Sequence, residues 1–91
     1  MPRYFFDLHN DLDALDPEGK ELPDLDAAKA HALCEARVML KASIDDRGHI
    51  DLRHYINVRD ESGQLVYVMQ FENAVTVRRG DQVLSRPSAA A

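Results

Sequence analysis

The stretch from Leu22 to Ile44, LPDLDAAKAHALCEARVMLKASI, decides the fold. It is the one long segment with both a start signal and a helical period. Pro23 fixes its own φ and keeps Leu22 extended, so the chain enters without helix. Asp24 follows as the N-cap, its carboxylate placed to accept from the first free backbone N–H groups. Asp26 suits the positive end of the helix dipole. Leu22 is placed to fold back onto Ala28 as a weak hydrophobic staple. The helix is expected over about Leu25 to Asp45, roughly 30 Å long.

Its main apolar face is Leu25, Ala28, Ala32, Leu33, Ala36, Met39, Leu40 and Ile44, which follow the i, i+3/i+4 rule. Lys29 falls within that stripe, so its stem is expected to pack while its ammonium reaches water. Ala27, Ala30, Cys34 and Val38 form a second, weaker stripe on the other side. Two readings stand. Alanine favours helix at no cost on a surface, or the stripe is a second contact face, most simply with the same helix of another copy.

The flanking segments read as strands. Arg3 to His9 (RYFFDLH) alternates, with Tyr4, Phe6 and Leu8 toward the helix and Phe5, Asp7 and His9 on the far face. Leu12 to Leu15 suits a short return strand, and Pro17-Glu18-Gly19-Lys20 is a turn. Gly48 is placed to end the helix. His54 to Asp60 and Leu65 to Phe71 read as a hairpin around Asp60-Glu61-Ser62-Gly63. Leu65 to Phe71 is apolar on both faces and reads as a central strand. Ala74 to Val77 is a candidate fifth strand, Arg79-Gly80-Asp81 a turn, and Val83-Leu84 one more pairing. Residues 86–91 read as a frayed tail. The expected architecture is α+β: a two-layer domain over residues 1–85, with a mainly antiparallel sheet of four to five strands under one long helix, in β-β-α-β-β order.

Ninety-one residues make one domain. A chain of this size is marginal alone, so dimerisation helps it. The net charge is −5, and eight acids fall within residues 1–26 against Arg3 and Lys20. Phosphate backbones demand the reverse balance, so general nucleic-acid binding is disfavoured. Only Arg78, Arg79 and Arg86 hint at a local basic patch. The single cysteine, Cys34, forms no internal disulfide. No basic-then-apolar leader opens the chain, and no apolar run is long enough to span a membrane. A cytoplasmic location is the expectation.

Three stretches resemble a family of small bacterial proteins known only as a domain of unknown function. They are the opening Met1-Pro2-Arg3-Tyr4-Phe5-Phe6, the helix approach Glu18-Gly19-x-Glu21-Leu22-Pro23-Asp24, and the late Val66-x-Val68-x-x-Phe71-x-x-Ala74. The similarity covers roughly residues 1–77. The family's common opening has histidine where this chain has Asp7. The resemblance implies a compact cytoplasmic bacterial domain and supplies no activity, cofactor or site residue.

Asp7, His9, Asp11 and Asp13 alternate in a way that suits a divalent ion on one strand face, but a turn at Asn10-Asp11 separates them. An EF-hand starting at Asp11 fails, because its sixth position is Asp16 rather than glycine. His31 and Glu35 sit one helical turn apart, which an exposed ion pair explains. His49 and His54 match no zinc spacing. Cys34 with His31 lacks an orienting group and an oxyanion donor. No glycine-rich phosphate loop is present. No cofactor, metal or catalytic residue is therefore expected. The reading is a non-catalytic protein-interaction module acting as a homodimer, with dimer contacts at Ala27, Ala30, Cys34 and Val38. An antitoxin-like regulator linked to nucleic acid is the alternative, supported if the three arginines share one surface. A small metal-dependent enzyme is more distant.

Overall fold

The computed structural model describes residues 1–88. The last part of the expected tail, residues 89–91, lies outside the described residues. Strand β1 spans Arg3–His9, followed by the two-residue strands β2 (Asp13–Ala14) and β3 (Lys20–Glu21). Helix α1 spans Leu25–Arg47, and strands β4 (Tyr55–Arg59) and β5 (Leu65–Gln70) follow. A 3-10 turn at Phe71–Asn73 leads to the hairpin β6 (Val77–Arg79) and β7 (Gln82–Ser85). This is an α+β fold: one helix on a five-stranded antiparallel sheet, with a separate two-stranded sheet.

The helix starts as its sequence dictates. The Asp24 carboxylate accepts from the Ala27 N–H at 2.8 Å. The helix ends at Gly48, which is left-handed at φ +67° and donates its N–H to the Ile44 carbonyl. Replacing Asp24 with alanine is expected to cost about 1 kcal/mol, read as a lower urea midpoint at an unchanged slope. An unchanged midpoint would count against the cap.

Ala28, Ala32 and Ala36 are fully buried at four-residue spacing, with Leu40 just beyond them. Three methyl groups in a row let the backbone of α1 lie close on β4 and β5. There it covers Ile56, Val58 and Met69, with Tyr4 and Phe71 completing the core. Leu22, Leu25, Leu33 and Met39 pack around it. Lys29 sits 5.1 Å from the centre of the Tyr67 ring, a cation–π contact that explains a lysine in an apolar stripe.

Several expectations need correction, the β-β-α-β-β order among them: β3 adds a third strand before the helix, and the β6–β7 hairpin follows the last two. Ile44 belongs to the apolar stripe by period, yet it is 56% exposed. All the helix residues fully buried or nearly so lie at or before Leu40, so its period outlasts its cover. Strand β5 is not central. The sheet order is β2-β1-β4-β5, so β5 is an edge, and its Leu65 and Val68 are exposed. Apolar residues on both faces of β5 therefore reflect a core on one face and uncovered surface on the other.

At the opposite edge, β2 and β3 both pair with β1, at its two ends. Between them Asp16 takes the place of a strand partner: its carboxylate accepts from the Phe6 N–H at 3.1 Å. The strand expected over Leu12 to Leu15 is thus reduced to Asp13–Ala14. The fifth strand starts only at Val77, because Phe71–Asn73 turns and Ala74 is buried beneath it.

Candidate functional site

The outer face of α1 gathers three of the four expected contact residues. Ala30, Cys34 and Val38 line one shallow groove of about 310 Å³ with Leu33, Arg37 and Lys41. Ala30 and Cys34 are exposed, and Val38 is 57% exposed. Ala27 is half-buried and lies outside that lining. The spacing is three and four residues, so the groove runs along the helix axis. Ala30 and Leu33 also line a second groove with Lys29, Tyr67, Met69, Pro87 and Ser88. The exposed helix face is therefore continuous with the β5 edge. Arg37 fixes one border, donating Nε to the Ala74 carbonyl at 2.8 Å.

The acid and imidazole groups of the first strand do not assemble. Strand β1 ends at His9, and Asp13 returns beside it on β2. His9 Nδ1 lies 3.0 Å from the Asp13 carboxylate, its Nε2 lies 3.2 Å from the Asn57 amide, and its ring stacks on Tyr55. Asp11 points elsewhere, 3.5 Å from Arg47 and 3.6 Å from His54. His31 lies 3.2 Å from Glu35 and meets the edge of the Phe6 ring. His49 is exposed, while His54 packs against Phe71. Among the described residues no three His, Cys, Asp or Glu side chains are grouped so as to hold a metal.

Asp7 has a role that strand alternation alone did not reveal. Only 3% exposed, it lies on the far face of the sheet. It accepts both a short hydrogen bond from Arg59 Nε and one from Nη2 at 3.1 Å. The Asp16 N–H donates to it at 2.9 Å, and the guanidinium of Arg59 also lies over the Phe5 ring. Burial by itself raises the pKa of Asp7. The Arg59 hydrogen bonds, the Asp16 N–H and the Arg59 charge outweigh burial and hold it below the usual carboxylate value. Asp16 behaves alike: burial raises its pKa, and the N–H groups of Gly19, Phe6 and Glu18 more than compensate. The sequence signal was an acid inside an aromatic strand, together with an arginine on the later strand β4, where it lies opposite Phe5, two residues along from Asp7.

The exposed Asp51 carboxyl is held at about 2, first by the Arg53 side chain and then by its backbone N–H. Arg78 and Arg79 do not form one patch. They are consecutive on β6, and Arg78 pairs across with Val83 while Arg79 pairs with Gln82, so they face opposite ways.

The fold and this face define a class: a small two-layer α+β domain whose one helix keeps its inner side for the sheet and leaves an apolar groove outside. The chain belongs to the DUF6894 family, a domain of unknown function, whose model matches residues 3–72. The match takes in the helix and the five-stranded sheet and stops within the 3-10 turn, short of the β6–β7 hairpin. No curated protein and no solved structure matches the chain. Among the described residues no helix is long and apolar enough to cross a membrane.

Proposed function

We propose that this domain is a non-catalytic protein-interaction module that works as a homodimer through the outer face of α1. The observation that carries the reading is the exposed Ala30–Cys34–Val38 groove on the one helix of the fold. The residues sit symmetrically, four positions either side of Cys34. In an antiparallel two-fold pair centred there, Val38 of each protomer meets the small Ala30 of its partner. That complementarity gives close helix approach and an isologous contact. Arg37 and Lys41 border the groove as a polar rim.

The test uses the single cysteine. Mild oxidation of the native protein is expected to yield a disulfide-linked dimer, because Cys34 lies beside its symmetry mate. Val38→Asp is expected to give a folded monomer that no longer cross-links, since a buried unpaired carboxylate opposes the contact. If Val38→Asp stays dimeric, the contact lies elsewhere. The nucleic-acid alternative required one basic surface, and the opposed directions of Arg78 and Arg79 lend it no support.

A further inference from the structure

Hairpin β6–β7 stands apart from the main sheet. It forms its own two-stranded sheet and joins none of the five strands under α1. It also lies beyond the stretch that the family model matches. Val83 is 43% exposed and Leu84 57% exposed. A lone two-stranded hairpin is marginally stable in water, so one carrying bare aliphatic side chains gains from a surface to lie on.

Its charge is opposite to that of the body. Residues 74–88 hold Arg78, Arg79 and Arg86 against Asp81 alone, whereas residues 1–73 hold fifteen acids against eight lysines and arginines. Its roots flank the proposed dimer face. Arg37, on the border of the groove, holds the carbonyl of Ala74 just before β6, and Pro87 and Ser88, just after β7, lie beside Ala30 and Leu33.

We infer that β6–β7 is a dimerisation arm: it reaches across the α1 contact and grips the acidic body of a second copy, with Arg78 and Arg79 as charge contacts and Val83 and Leu84 as apolar ones. This rests on the homodimer reading above. The second copy is the occupant that the charges select, because every copy presents both a basic arm and an acidic body. The opposite facing of Arg78 and Arg79 suits an arm inserted between surfaces better than one lying on a single phosphate backbone.

The experiment is sedimentation equilibrium of the full chain at low and high salt, comparing wild type, Arg78→Glu/Arg79→Glu and Val38→Asp. Both arginines are exposed and the arm lies outside the core, so the fold should survive, which circular dichroism melting checks. Reversal of both charges is expected to raise the dimer dissociation constant about ten-fold or more at low salt. It should also flatten the salt dependence seen in wild type. A double variant that dimerises as well as wild type overturns the arm while leaving the helix contact standing. If the arm variant splits the dimer and Val38→Asp does not, the arm holds a second copy without the α1 contact, which overturns both the helix contact and an arm that reaches across it. A wild type that is monomeric throughout overturns both.

Discussion

Arg59→Met is expected to lower stability by about 3 kcal/mol, because it leaves the buried Asp7 carboxylate without its counter-charge. That is a large share of the roughly 5–10 kcal/mol available to a domain of this size. Methionine keeps an unbranched apolar chain of similar length and loses the guanidinium that lies over Phe5, so the loss is mainly electrostatic. Thermal melting at neutral pH should fall by about 15 °C. A shift of only a few degrees would mean that the Asp7–Arg59 pair contributes little.

The pH dependence gives the same prediction a second reading. Asp7 and Asp16 both titrate below the ordinary aspartate value of 3.8 in the folded chain. Their contribution is therefore complete above that value and is lost as pH falls through it toward the depressed folded values. Wild type should lose stability on acidification below about pH 5. In Arg59→Met the burial of Asp7 is no longer outweighed by the arginine, so protonation relieves the folded state. The gap between wild type and variant should narrow as the pH drops. A constant gap would contradict the assignment.

Gly19→Ala is expected to be nearly as costly, about 3 kcal/mol, for a steric reason. Gly19 has φ +69°, and a Cβ there would lie 2.8 Å from the Tyr4 carbonyl oxygen and 2.9 Å from both Arg3 Cγ and Phe5 Cδ2. The backbone oxygen belongs to β1 and cannot step aside. The Gly19 N–H also bonds the Asp16 carboxylate at 3.0 Å, so a shift at residue 19 disturbs the group that completes the sheet edge. Gly63→Ala is the control. Its φ is +86° with nothing within 4 Å of the added atom, so only the conformational cost of about 1 kcal/mol remains. Equal losses in urea titrations of the two variants would remove close approach as the explanation.

The helix was legible because its signals are local: a proline and an aspartate at the start, alanines four apart along the buried side, a glycine at the end. The alternation of Tyr4, Phe6 and Leu8 likewise placed them toward the core. Features resting on distant partners were not legible. Asp7 and Arg59 are 52 residues apart. Alternation put Asp7 on the far face but could not say that an arginine and a loop amide would bury it there. Strand β5 misled because apolar content on two faces is the same whether a strand is central or is an edge with uncovered surface. Ile44 misled because helical period continues past the end of the sheet. The candidate dimer face was readable as a stripe, whereas its continuity with β5 and with the roots of the β6–β7 arm was visible only in three dimensions.

That continuity links the fold to the proposed role. The sheet consumes the alanine side of α1, and the outer side is left with Val38, Cys34 and Ala30 beside an apolar strand edge. The most direct measurement is the solution mass by light scattering after gel filtration, over a range of loading concentrations. The homodimer account predicts twice the chain mass of 10.3 kDa, with dissociation only on dilution. A mass of one chain at every concentration would contradict it.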